Sequence, residues 1–257
     1  MIRIESSSNS IYKNTKKLFE KNGRKKSSCF IIEGERIVRD AYKNGAQFEY
    51  IILNEKRELP AELNEVKTYV ITEKLFNDLK ETVNSQGILA VVRCPENDFD
   101  AVDLSEGGCF LYLDSVMDPG NMGTILRSAD AFGINGVILS KGCVDVYNPK
   151  VIRSTMSGIF NVNLFFDNGK YLEKFKNNGY KIIGTFPEGE KTSSGFEYTD
   201  KCVIVMGNEA NGISREIENL CDAKLTIPMT GGAESLNVSV ACGIILYESY
   251  VYRLKNL

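Results

Sequence analysis

The stretch Ile227–Glu248, IPMTGGAESLNVSVACGIILYE, carries the chain from a strand-like end through a polar turn into an apolar helix. Pro228 closes the strand side and Gly231-Gly232 form the turn. Beyond it, Leu236, Val240, Ile244, Tyr247 and Val251 recur at spacings of three and four, which predicts one face of a long helix running from Leu236. Glu234, Ser235 and Asn237 fall near the helix start, where free backbone N–H groups gather and hydroxyl or amide caps are favoured. By itself such a turn reads either as a capped junction or as a binding site. The rest of the chain has to decide.

Strands and helices alternate upstream of this stretch. Strands are expected at 109–116, 136–140, 162–166, 180–186, 202–207 and 224–229, with helices at 120–132, 148–158, 169–178 and 213–220 between them. That order predicts a mainly parallel sheet with helices on both faces. Ligands of such sheets sit beyond the carboxyl ends of the strands, here after Val116, Thr185, Met206 and Ile227. A smaller α/β unit precedes it: a basic helix over 11–26 stopped near Asn22-Gly23, strands at 29–34 and 48–55, a strand and helix over 67–80 with Thr72 as cap, and a strand at 87–94. PENDFDAVDLSEGG between them is acidic and turn-rich. The expected division is a domain at 1–96, a linker at 97–108 and a second domain at 109–257.

Composition narrows the chemistry. The 257 residues contain no histidine, which removes His-based triads and the usual His metal ligands. The seven cysteines are scattered singly, several in apolar runs, so a reduced compartment is expected and no metal. Hydrophobic content of 43% without a membrane-length apolar run, and an N-terminus without a signal-peptide core, predict a cytoplasmic globular protein. Net charge is −3, yet residues 1–30 hold eight Lys or Arg against Glu5 and Glu20. A basic arm on an acidic chain suggests a polyanion partner, or else a solvated lysine-rich helix.

Two nucleotide motifs fail. No GxGxxG follows a strand, and GTFPEGEKT (184–192) has Glu190 inserted before the lysine that a phosphate-binding loop needs at fixed reach. Three polar, glycine-bearing turns remain: DSVMDPGNMGTILRSADAFG (114–133), VIVMGNEANGIS (203–214) and the stretch above. Together they closely resemble the three motifs of the SpoU-type (SPOUT superfamily, TrmH-like) RNA ribose 2′-O-methyltransferases. Asn121, Gly123 and Arg127 stand at the family spacing in the first, Gly207-Asn208-Glu209 and Gly212 in the second, and Ile227-Pro228 with Ser235 to Ser239 in the third. FIIEGERIVRDAYKNG and NSQGILAVV are similar to the L30e-like substrate-binding domain attached to many members. Ser157-Gly158 departs from the pattern, since relatives commonly place the small residue one position earlier.

The resemblance implies a parallel-sheet SPOUT domain with a C-terminal trefoil knot, and S-adenosylmethionine held in a bent form. Thr185, Phe186, Gly207, Asn208, Ile227, Met229, Leu236 and Asn237 would line its pocket. The implied reaction moves the sulfonium methyl to a ribose 2′-oxygen, with Asn121, Arg127, Glu209, Ser235 and Asn237 as the catalytic set. A guanidinium titrates above pH ~12 and makes an awkward base. As a clamp on phosphate and developing alkoxide it is better suited. The alternative for Arg127 is a surface ion pair with Asp130, three residues on. The family also implies a homodimer with this arginine supplied by the partner, and RNA contacts from Lys16, Lys17, Arg24, Lys25 and Lys26. The attached N-terminal domain favours ribosomal RNA over tRNA. A non-catalytic RNA-binding protein is the rival from another class, and it should have lost motif residues that this chain keeps.

Overall fold

The apolar runs form two separate sheets in the structure, a computed structural model that describes residues 1–80 and 85–256. Asn84, which opens NSQGILAVV, lies outside the described residues. The chain divides into two units. The first is Met1–Glu96 with Asp145–Phe160, and the second is Asn97–Val144 with the segment from Asn161 onward.

Unit one runs β1 (Ile2–Ile4), α1 (Ser10–Lys17), α2 (Lys21–Ser27), β2 (Cys29–Glu33), α3 (Glu35–Lys43), β3 (Phe48–Asn54), β4 (Thr68–Ile71), α4 (Glu73–Leu79) and β5 (Ile88–Arg93). The sheet order is β1-β4-β3-β5-β2, parallel at β1–β4 and β4–β3 and antiparallel around β5. Asn9 caps α1 by accepting from the Ile11 N–H at 2.8 Å, and Thr72 caps α4. The single basic helix expected over 11–26 is two short ones. Gly23 does not stop it but lies inside α2, where a Cβ would fall 1.9 Å from the Lys17 carbonyl oxygen, so only glycine lets α2 close over the end of α1.

The same region corrects one RNA contact. Arg24 is 4% exposed, and its guanidinium donates to Asp145 at 2.7 and 2.9 Å and to the Leu18 and Phe19 carbonyls. With four of its five N–H groups spent on three internal oxygens and the side chain buried, this guanidinium is not free to grip phosphate. Breaking a buried pair strands the other charge, at a cost of roughly 3–5 kcal/mol. Arg24→Ala should therefore lower the denaturation midpoint markedly, with a loss near the low end of that range because Asp145 is partly exposed. A midpoint shift no larger than that of an exposed Lys25→Ala control contradicts this.

Unit two runs β6 (Gly108–Leu113), α5 (Pro119–Ala131) and β7 (Gly136–Leu139); then α6 (Pro149–Thr155), which belongs to unit one, interrupts it. It resumes with β8 (Leu164–Phe166), α7 (Tyr171–Asn177), β9 (Lys181–Thr185), β10 (Lys191–Thr192), β11 (Lys201–Met206), α8 (Arg215–Glu218), β12 (Ala223–Thr226) and α9 (Val238–Asn256). The seven strands are all parallel in the order β10-β12-β9-β11-β6-β7-β8. Central strands such as β11, KCVIVM, are buried almost throughout, which is why they read as continuous apolar runs.

Two expectations need correction here, and one rejection is reinforced. Residues 97–108 are no free linker: Phe99 and Leu104 are buried in unit two, with the Phe99 ring stacked 4.1 Å from Tyr171. The 184–192 stretch leads into β10 rather than a helix, so the phosphate-loop reading fails on structure as well as spacing. On α9 the period is right but the stripe does not face the core. Its buried residues include Cys242, Ile245 and Leu246, whereas Val240 and Tyr247 are 51% and 55% exposed. No described helix is long and apolar enough to cross a membrane.

Candidate active site

The carboxyl ends of β9, β11 and β12 meet the start of α9 around a cavity of about 190 Å³. Thr185 and Phe186, Met206 to Ala210, Leu225 to Ile227, and Ser235 with Leu236 line it, and Val238, Ala241 and Ile245 of α9 close it. This is the position that a parallel sheet reserves for ligands. Ile227 and Leu236 are half-buried at the cavity wall rather than sealed in the core.

The second turn is a rigid frame. Asn208 and Gly212 exchange backbone hydrogen bonds at 2.9 and 3.0 Å, and Asn208 Oδ1 accepts from the N–H groups of Ala210 and Asn211. Its Nδ2 donates to the Ser115 carbonyl at 2.7 Å. A Cβ on Gly207 would lie 2.2 Å from the Gly212 carbonyl carbon and 2.3 Å from the Ile213 nitrogen, so the turn can close only on glycine.

One run of hydrogen bonds joins all three turns. Glu209 accepts from the Met117 and Asp118 N–H groups at 3.1 and 2.9 Å and from Asn121 Nδ2 at 3.1 Å. Asn121 Oδ1 accepts from Asn237 Nδ2 at 2.9 Å. Asn237 Oδ1 accepts from the Ser239 N–H and hydroxyl at 2.9 and 2.6 Å and thus caps α9. A carboxylate only accepts, so Glu209 fixes the direction of every amide in the run. Burial pushes the Glu209 carboxyl up, but N–H donors at Asp118, its own backbone and Met117, with the Asn121 amide, outweigh it and leave the group below the ordinary glutamate range. At neutral pH it is a fixed anion, unsuited to taking a proton.

Asp118 caps α5, accepting from the Asn121 N–H at 2.8 Å, with Pro119 in the first turn. Arg127 stands farther along α5 on its exposed side, away from the cavity lining. Asp130 takes the Asn161 amide at 3.1 Å and forms no ion pair with Arg127 among the described residues. The structure thus gathers Thr185, Phe186, Gly207, Asn208, Glu209, Ile227, Met229, Ser235 and Leu236 at one cavity, and links Asn121 and Asn237 to its rim. Asn237 itself is a cap outside the lining. Sequence reasoning passed over Met206, Leu225, Ala241 and Ile245. The spacing Val238, Ala241, Ile245 was a usable signal for the last two.

The lining contains one carboxylate, Glu209, and no lysine or arginine. Nucleoside phosphates are poorly served by such a wall. A nucleoside bearing a cationic sulfonium fits it, with apolar flanks for the base and an anion nearby for the charge.

A parallel sheet with this cavity at its carboxyl edge places the chain among the ligand-binding α/β proteins. Residues 108–247 match the SpoU rRNA Methylase family and residues 9–90 match the MRM3-like substrate binding domain. The 23S rRNA (guanosine(2553)-2′-O)-methyltransferase RlmP of Bacillus subtilis is 33% identical over 250 residues, covering 96% of this chain and 99% of that protein. The structure of the SpoU methyltransferase AviRb from Streptomyces viridochromogenes in complex with AdoMet is similar with a TM-score of 0.86 at 29% identity, covering 97% of this chain and 100% of that one. A structure described as giving insights into the 2-OH methylation of C/U34 on tRNA covers 58% of this chain and 99% of that one, with a TM-score of 0.54 at 25% identity. The chain belongs to the SpoU rRNA methylase family.

Proposed function

We propose that this protein methylates a ribose 2′-hydroxyl of ribosomal RNA with S-adenosylmethionine as donor. The observation that carries the reading is the run Glu209–Asn121–Asn237, which ties all three motifs to the rim of a cavity whose lining holds no lysine or arginine among the described residues. Bound there, the cofactor supplies an electrophilic methyl group. Leu236 and Ile227 would flank its base, and the backbone of Gly207 and Asn208, in the same lining, would face the base edge. Ser235 and Asn237 hold the loop over the cofactor, Asn121 and Glu209 set the rim, and Arg127 clamps phosphate and steadies the developing alkoxide.

Ribosomal RNA is favoured over tRNA by coverage. The likeness to RlmP spans both units, whereas the tRNA-related structure spans little more than half of the chain. Membership of a methylase family with every motif residue kept sets aside the purely RNA-binding alternative.

Arg127 is exposed and outside its own cavity lining, which supports completion of the site by a second copy. The exposed face of α9 supplies a surface for it: Val240, Tyr247, Tyr250 and Leu254 form an outward apolar seam at successive spacings of seven, three and four. The homodimer, the trefoil knot and a cytoplasmic location are part of the same proposal. Sedimentation at micromolar concentration should give a dimer, and a monomer contradicts that part.

RNA docks on unit one through the exposed Lys17, Lys25 and Lys26; Lys16 contributes although it also pairs with Asp78 at 2.7 Å, an exposed bridge of little strength. Replacing the four lysines by glutamine should weaken RNA binding and flatten the slope of log K against log salt by about 0.7–0.9 per lost phosphate contact. An unchanged slope returns the arm to a solvated surface.

A further inference from the structure

In unit one, α1 and α2 leave a corner of the sheet uncovered, over a cavity of about 410 Å³. The strand register defines its floor. Tyr50 on β3 pairs with Val91 on β5, and Arg93, two residues beyond Val91 and so on the same face, pairs with Cys29 on β2. Leu18, at the end of α1, completes the floor; Leu18, Cys29 and Val91 are buried and Tyr50 is half-buried. The Tyr50 ring is fixed in place. Its hydroxyl shares a hydrogen bond with Thr15 Oγ1 at 3.0 Å, and the Tyr69 ring stands nearly perpendicular to it, centroids 5.5 Å apart.

The rim above this apolar floor is cationic. Lys17 lies against Gly23, where an added Cβ would fall 3.2 Å from the Lys17 Cβ. Lys26 stands three residues beyond Gly23, on the same side of α2. Both lysines are exposed, and neither forms an ion pair among the described residues. Arg93 pairs at 2.5 Å with Glu49, the one carboxylate of the described lining, so two positive charges at the rim stay uncompensated. Asn14 adds an exposed amide, donor and acceptor at once, with no hydrogen-bond partner among the described residues.

We propose that this cavity takes a single unpaired nucleotide of the RNA, its base on the floor beside Tyr50 and its phosphates on Lys17 and Lys26. The proposal rests on the reading that unit one docks RNA, and it adds what lysines alone do not supply. Phosphate contacts position an RNA without reading it, whereas a cavity of this size admits one splayed base and no duplex. An apolar floor with a fixed ring accepts a base by its face, and the Asn14 amide can pair with its edge.

The test uses the full chain at fixed salt and two RNA hairpins of the same sequence, one fully paired and one with a single bulged 2-aminopurine nucleotide. The parent should bind the bulged hairpin about tenfold more tightly, the scale of one stacked base, and the bound 2-aminopurine should lose its access to acrylamide. Asn14→Leu combined with Ser27→Leu narrows the mouth at two exposed positions, adds no ring to stack on and leaves the charge unchanged. This variant should melt close to the parent, bind the paired hairpin equally well and lose the preference for the bulge. Equal affinity of the parent for both hairpins, or a preference that survives in the double variant, overturns the proposal and leaves docking by the lysines standing. Binding of neither hairpin overturns both readings. If the double variant melts lower, quenching in the parent decides: a bulged base as open to acrylamide when bound as when free contradicts the proposal.

Discussion

Arg127→Ala is expected to cut methyl transfer by about 10²–10³-fold or more, the scale of losing a group aimed at developing charge, while S-adenosylmethionine binds within about twofold of the parent. The split follows from position. Arg127 is exposed on α5 and outside the cavity lining, so its loss removes nothing that holds the cofactor. No ion pair with Asp130 is broken, so stability should stay within about 0.5 kcal/mol, as at other exposed sites. Arg127→Lys should recover little, since an ammonium lacks the planar fork that grips phosphate at two points. Radiolabelled methyl transfer alongside calorimetric cofactor binding reads both halves. Full activity in Arg127→Ala removes the residue from the reaction, and parallel loss of binding and transfer makes it a structural residue instead.

The second large effect is Gly207→Ala. The added methyl has no room, because it meets backbone atoms of Gly212 and Ile213 at 2.2 and 2.3 Å and backbone cannot rotate away as a side chain can. The turn that presents Asn208 and Glu209 must open. Strain of this kind costs about 1–3 kcal/mol, and cofactor affinity should fall by more than about tenfold, equivalent to 1.4 kcal/mol. Gly231→Ala in the third motif is the control: a Cβ there meets nothing within 4 Å, so folding and binding should persist. Equal behaviour of the two variants contradicts the account of the second turn.

These two residues also mark what the sequence made legible. Gly207 stood out because it sits in a polar turn directly after an apolar strand, and Arg127 because the segment that holds it resembles the first SpoU motif. The alternation of strands and helices in unit two was readable for the same reason, since a strand buried on both faces is a continuous apolar run. Arg24 looked like part of a basic arm because its partner, Asp145, is 121 residues away. Phe99 was lost in an acidic stretch whose charges face outward while its ring stacks on Tyr171. On α9, periodicity located the helix but not which side is covered. Cys242, Ile245 and Leu246 face the core, Ala241 and Ile245 reach the cavity, and Val240 and Tyr247 are left outside. Only the packing of the other elements distinguishes these faces. β10, two residues long, exists because β12 offers it an edge and has no signal of its own.

The opening stretch, Ile227–Glu248, is a capped junction that also lines the cavity. Asn237 caps α9 and in the same geometry passes a hydrogen bond to Asn121, so the helix start and the rim are one structure. Ser235 and Leu236, immediately before it, line the cavity.

The most direct measurement of the central claim is transfer of tritiated methyl from S-adenosylmethionine to purified ribosomal RNA and, separately, to tRNA, followed by alkaline hydrolysis. A 2′-O-methyl group blocks cleavage of the adjacent phosphodiester, so the account predicts label in ribosomal RNA recovered in alkali-resistant dinucleotides. Label confined to tRNA, label released in mononucleotides as on a methylated base, or no transfer to either RNA contradicts it.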